Sequence, residues 1–596
     1  MDRNTLLFIV LTAAVLFGWD ALVLRPQREA LLEQQRIEQA TRAAAEPDIT
    51  GGIASVEAEK ALTVEEALAK APGRVKIDTP SLNGSINLAG GRLDDLLLKN
   101  YRETLDPESA MIRLLTPREA RHGHYIEQGF VASSGTENKL TESLIWTAPE
   151  GAVLSVDAPV VLTARMGSLV FEKTYSVDDR FMFTVKQSVR NEGDAPASVT
   201  PYGLVVQRDI PDGAGKYMIL HEGPVAVIGK QLLERKYKKA ATRDDEASGE
   251  KGWVGITNKY WLAAAIPPQD EHFKTTFKNV GSEASPIFRA NYTLDARAIA
   301  PGASVELTSH LFGGAKDVDI LRGYEAPIEK GGLGVLDLDK AVDWGNFFFL
   351  TRPLFWLLDF FGDHIHNWGV AILLLTLVIK ALLFPLANKA FESMSAMKKV
   401  QPKLEELKTR YGEDKAKLQQ EMMALYQREK INPLAGCLPI VIQMPIFYAL
   451  YKTLFVTIEL RHQPFALWIR DLSAPDPTNI LNLFGLLPFD PAATPLLNLI
   501  PAIGVLPMLY GAAMWLQTKM NPPAADPTQQ QIMNFLPFIF VFLFASFPAG
   551  LVLYWFWSSV LSMAQQYVIM KRNGVEIAWG ETLPFLRGKK PALEKK

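Results

Sequence analysis

Between Leu373 and Leu386 the chain reads LLLTLVIKALLFPL, an apolar run interrupted by Thr376 and, at its centre, by Lys380. A helix this apolar on all sides is read as a membrane span. A lysine inside such a span costs about 2.5–3.5 kcal/mol on insertion scales. Residues of this kind persist where polar groups or water meet them, so the run predicts a span that borders a polar seam. Snorkelling to the inner end of the span, about seven residues or roughly 10 Å away, is the simpler alternative.

The rest of the C-terminal half extends this reading. That span is expected to run from Trp368 to Ala387, with four more at Leu434 to Ile458, Pro495 to Gln517, Ile532 to Phe547 and Gly550 to Met570, the last two joined by the tight link SFPAG. An apolar stretch from Leu6 to Leu24 behind Arg3 reads as an uncleaved signal anchor (residues 1–24), bringing the count to six. Residues 388–433 hold ten Lys or Arg, and seven more follow Met570 in the basic tail (571–596), whereas SFPAG has none. The positive-inside rule then places both termini and the 388–433 segment in the cytoplasm, in an inner (plasma) membrane.

Residues 25–74 are rich in Ala, Glu, Gln and Arg and read as a linker. From 75 to 330 the pattern changes to short alternating runs separated by turn residues, as in SLVFEKTYSVDDRFMFTVKQSVRNEGDAPASVTPYGLVVQRD. Such alternation predicts a large all-β sandwich outside the cytoplasm. Residues 331–366 connect it to the membrane region through a segment crowded with Phe and Trp, expected to lie as an amphipathic helix at the membrane surface. The fold class is therefore a polytopic α-helical membrane protein carrying a large extracytoplasmic all-β domain.

Composition excludes several functions. A formal charge of -3 gives no broad basic surface for DNA. The lone Cys437 excludes intramolecular disulfides and multi-cysteine metal sites. No GxxxxGK[ST], HExxH or GxSxG string occurs, so neither ATP binding nor a metal or cofactor is expected, and the chain does not read as an enzyme.

The polar residues of the spans fall into stripes. Thr376 and Lys380 are four apart; Ser558, Ser562 and Gln565 follow at four and three, with Ser559 alongside, and Gln443 and Gln517 are available from other spans. Together they are expected to line a wet groove. A secondary transporter of a small solute would use a similar cavity, although no internal repeat is visible. A lysine can also serve as base for a serine, which keeps an intramembrane Ser/Lys hydrolase as a further alternative.

In the 388–433 hairpin, apolar residues at Val400, Leu404, Leu407 and Tyr411 face Leu418, Met422 and Leu425, and Pro402 marks a hinge at its base.

The strings NPLAGCLPIVIQMPIFYALY (Asn432 to Tyr451), PFALWIRDLSAPDP (Pro464 to Pro477), DPTQQQIMNFLPFIF (Asp526 to Phe540) and FPAGLVLYWFWSSVLSMAQQ (Phe547 to Gln566) resemble the YidC membrane protein insertases in their long, Gram-negative form. That resemblance implies a five-helix insertase core at 367–570 with a hydrophilic groove open to the cytoplasm. A central cation, usually arginine, falls at Lys380. The resemblance also implies that substrates slide past Met444, Phe447, Tyr554 and Trp555. It implies as partners nascent membrane proteins, the Sec translocon, the ribosome and the lipid bilayer, and an insertase and chaperone role without ATP hydrolysis.

Overall fold

Alternation along the strand Met182–Asn191 sets the architecture of the N-terminal half: Phe183, Val185 and Val189 are fully buried, while Lys186 points outward and meets Glu306 of a neighbouring strand at 2.9 Å. Period-two burial of this kind is what a sheet with one face on a core requires. In the computed structural model the described residues are 62–575, apart from 135–136, 216–219, 283–284, 413, 430–437, 490, 492–493, 495–501 and 522–526. The expected anchor (1–24), most of the linker and tail, Cys437, and the starts of the spans placed at Leu434 and Pro495 lie outside them.

Between Arg74 and Ala315 the described strands form one sheet of twelve and one of eight, packed face to face. Their ladders are antiparallel except where Arg74–Asp78 runs parallel to Val153–Leu154. The expected three strands of the 168–208 stretch are Leu169–Val177, Met182–Asn191 and Ala197–Arg208. Helix is limited here to short pieces such as Tyr237–Ala240 and Val318–Glu325, so the domain is a β-sandwich.

The C-terminal half is helical: α1 (Phe348–Ile365), α2 (Trp368–Lys399), α3 (Gln401–Tyr411), α4 (Lys415–Arg428), α5 (Leu438–Val456), α6 (Val505–Met520), α7 (Pro527–Phe544) and α8 (Ala549–Arg572). Thr351, Phe355, Leu358 and Gly362 bury one face of α1, at spacings of four, three and four, while Phe349, Trp356 and Phe360 remain exposed on the other. Ile372, Leu375 and Ile379 of α2 pack with Leu450 and Leu454 of α5 and Leu551 to Trp555 of α8. Gly511 brings α6 against α7, since a Cβ there would lie 2.2 Å from Val541.

Among the described residues, α2 alone combines the length and the apolar composition needed to cross a bilayer. The 16 residues of α6 span about 24 Å, short of a hydrocarbon core of about 30 Å, and α8 carries the polar stripe that lowers its hydropathy.

The helix leaving α2 is interrupted at Val400, and Pro402 opens α3 in its first turn, where a missing N–H leaves no helical bond unmade. Val400 and Leu404 then pack against Met422, Met423 and Tyr426 of α4. The β-sandwich and the helices share a continuous core, to which Phe455, Val456 and Ile458 at the outer end of α5 contribute. A buried ion pair crosses the same junction, with Lys452 Nζ 2.5 Å from Asp343.

Candidate functional site: a polar line between α2, α5 and α8

The Lys380 ammonium donates to Ser562 Oγ at 2.8 Å, joining α2 to α8. Further toward the hairpin, Gln565 Nε2 donates to Asn388 Oδ1 at 2.8 Å and to the Phe384 carbonyl at 3.3 Å. Helical spacing explains the pairing: Lys380 and Asn388 are eight apart, and Ser562 and Gln565 three apart, so each pair shares a helix face. Pro385 lies between Lys380 and Asn388, where it removes the bond to the Ala381 carbonyl and adds a backbone acceptor to this region. Toward the centre of the bundle Gln443 Nε2 of α5 donates to the Tyr554 hydroxyl at 3.2 Å.

Of the expected lining residues, Lys380, Ser562, Gln565 and Gln443 therefore take part in bonds between helices. Thr376 is fully buried and donates to the Ile372 carbonyl of its own helix at 2.7 Å, which turns its hydroxyl inward and keeps it out of the line. Ser558, Ser559 and Gln517 are half-buried, the first beside Tyr554.

The residues expected to guide substrates divide into two environments. Met444 is 58% exposed on α5, whereas Tyr554 and Trp555 are only 2% and 6% exposed. Trp555 stacks on Phe544 at 3.9 Å and on Phe447 at 5.2 Å between ring centroids, building an aromatic wall. Its indole nitrogen is buried without a partner among the described residues. In the hairpin, Pro402 sits at the hinge, Met422 in the contact between arms, and Tyr411 beneath the Lys417 ammonium at 5.3 Å from its ring.

Sequence reasoning missed Asn388 and also Asn521, whose Oδ1 accepts from Gln566 Nε2 at 3.0 Å between α8 and the end of α6. Asn388 was legible as the eighth residue after Lys380. Asn521, just past a helix end, carried no pattern.

Residues 74–357 match the YidC periplasmic domain family, and residues 360–576 match the 60Kd inner membrane protein family. A membrane protein insertase YidC from Rhizobium etli is 46% identical over 610 aligned positions, covering 100% of this chain and 99% of that protein. This chain belongs to the YidC family. The YidC insertase of Caulobacter vibrioides is 44% identical, with 99% and 98% covered. A crystal structure of an active YidC insertase with its first transmembrane domain resolved aligns at 19% identity and a TM-score of 0.37, covering 84% of this chain and 93% of that one. The β-sandwich is thus the YidC periplasmic domain, and the helical half carries the polar line.

Proposed function

We propose that the chain inserts newly made membrane proteins into the inner membrane, and helps them fold there, through a groove whose centre is Lys380. The observation that carries this reading is the Lys380–Ser562 bond at 2.8 Å between α2 and α8. A cation held by one hydroxyl keeps most of its charge uncompensated, so it can attract an acidic segment of an incoming chain. Gln565, Asn388 and Gln443 offer hydrogen bonds to that segment's backbone, lowering the cost of taking polar groups out of water. The client's apolar helix then partitions into lipid along the exposed side of α5 around Met444, with the Phe447–Trp555–Phe544 wall behind it. Burial of apolar surface, helped for acidic segments by the membrane potential, drives the step without a nucleotide.

In this reading the molecule has six spans with both termini cytoplasmic. The basic hairpin and tail meet the ribosome, and the Sec translocon cooperates for larger clients. The test is insertion of a small coat-like membrane protein by the purified chain in vesicles. Lys380→Glu lowers insertion of acidic-tailed clients at least tenfold, and Lys380→Arg retains it. Unchanged insertion by Lys380→Glu overturns the attraction step.

The same bond favours one second reading. A lysine within hydrogen-bond reach of a serine is the first geometric requirement of a Ser/Lys hydrolase. Loss of a peptide-hydrolysing activity in Ser562→Ala would establish it; insertion that survives the same substitution supports the groove.

A further inference from the structure

On the outer side of the molecule, away from the polar line, a cleft of about 1010 Å³ opens between the β-sandwich, the start of α1 and the outer end of α5. That volume is at the top of the range usual for small-molecule sites, about 300–1,000 Å³. Its floor holds the Lys452–Asp343 pair and the buried Trp344. Its walls hold Arg235, Lys340 and Arg352, each beside a carboxylate outside the cleft: Asp245, Asp337 at 2.6 Å and Asp339 at 2.7 Å, respectively. Lys230, Lys236 and Lys239 stand exposed at its edge, and Lys230 and Lys239 have no carboxylate partner among the described residues. Only two acidic side chains, Glu234 and Asp343, line it. Concave surfaces lined by one sign of charge focus the potential and draw in counter-ions.

Two aromatic rings also line the cleft, each one helical turn from a cation: Phe348 from Arg352 on α1, and Tyr448 from Lys452 on α5. Phe348, the first residue of α1, is 54% exposed, and Tyr448 lies one turn deeper along α5 than Lys452. Cations and rings together, at the level where α5 ends, match an amphiphile with an anionic head.

We propose that this cleft binds the phosphodiester headgroup of an anionic glycerophospholipid from the outer leaflet, with Lys230 and Lys239 at the phosphate and Phe348 and Tyr448 along the first part of the acyl chains. The proposal rests on α5 spanning the bilayer and α1 lying at its outer surface. The two rings favour a lipid over free phosphate, and the position of the cleft at the end of α5 favours a lipid over an acidic peptide.

The test uses the full chain in phosphatidylcholine vesicles containing either a photoactivatable phosphatidylglycerol or a photoactivatable phosphatidylcholine, with labelled peptides identified by mass spectrometry. Phosphatidylglycerol labels the 230–239 and 340–352 segments at least fivefold more than phosphatidylcholine. Lys230→Glu with Lys239→Glu removes that preference, whereas arginine at both positions keeps it, which excludes a folding defect. Excess unlabelled phosphatidylglycerol displaces the probe; soluble glycerol phosphate and an acidic peptide do not. Equal labelling by the two lipids, indifference to charge reversal, or displacement by glycerol phosphate or the peptide overturns the proposal. Shielding of Phe348→Cys from a membrane-impermeant maleimide checks the placement of α1 separately. Client insertion, unchanged in the Lys230 and Lys239 variants, separates failure of this site from failure of the groove.

Discussion

The interior of the β-sandwich and the polar line between α2 and α8 treat buried charge in opposite ways. Inside the β-sandwich, Arg92 meets Glu127 at 3.0 Å, and the Tyr202 hydroxyl donates to the same carboxylate at 2.6 Å. Lys173, fully buried, donates to the Gln128 and Gly90 carbonyls at 2.5 and 3.2 Å and lies 4.5 Å from the Trp146 ring. Every one of these charges is answered from within. Lys380 in the helical half has one hydroxyl partner and no carboxylate among the described residues. A fully answered network holds one fold in place; a cation answered by a single hydroxyl remains available to a guest.

That contrast breaks most clearly at the best-paired charge. Glu127→Gln leaves Arg92 buried beside a neutral group, and loss of one partner of a buried pair costs about 3–5 kcal/mol. Faster hydrogen exchange along the strand His124–Ser134 measures it. Lys380→Met, by comparison, leaves no charge behind and changes the protection of α2 and α8 little while abolishing attraction of acidic clients. Equal destabilisation by both substitutions would erase the distinction.

A second contrast depends on pH. His124 is buried and bonded through Nδ1 to the Val206 carbonyl at 2.8 Å, and burial pushes its pKa from an ordinary 6.5 down to about 4. Between those values the unfolded chain binds the proton and the folded domain does not, so stability is complete above pH 6.5 and falls as the pH drops toward 4. The loss is about 3 kcal/mol for this residue. Urea unfolding of the β-sandwich in the full chain at pH 7 and pH 4.5 checks it, and a pH-independent midpoint would refute it.

Smaller effects follow in the helical half. Ser562→Ala removes one hydrogen bond from the Lys380 ammonium and costs about 1.5–3 kcal/mol, read as increased access of a thiol reagent to a cysteine at Gln565→Cys. Lys403→Ala breaks an exposed pair with Glu429 at 2.6 Å between the hairpin arms. Pairs of that kind are worth about 0.2–1 kcal/mol, so the hairpin's exchange protection changes least of all.

Much of this was legible beforehand. Alternation alone located the strands between Leu169 and Arg208, and the four-residue steps Ser558–Ser562 and Thr376–Lys380 marked one polar face on each of α2 and α8, though not that Lys380 and Ser562 meet. Spacing gives a face but not a rotamer, which is why Thr376 shares the face of Lys380 yet bonds to its own backbone. Nor does spacing give depth: the Tyr554–Trp555 pair stood out as aromatic, but its burial depends on Phe544 and Phe447 from two other helices. The outer basic cleft was not visible, because only Lys230, Lys236 and Lys239 are neighbours in sequence, while Lys340 and Lys452 join them from about 100 and 200 residues further on.

The run of α2 over 32 residues, about 48 Å, has a mechanical consequence. A rod of this length would act as a lever if the hairpin continued it rigidly, and any load on the arms would swing Lys380 sideways. The interruption at Val400, with Pro402 just after it, makes the attachment a joint, so a force on the arms would pivot them about that point while the bearing of the central ammonium stays fixed.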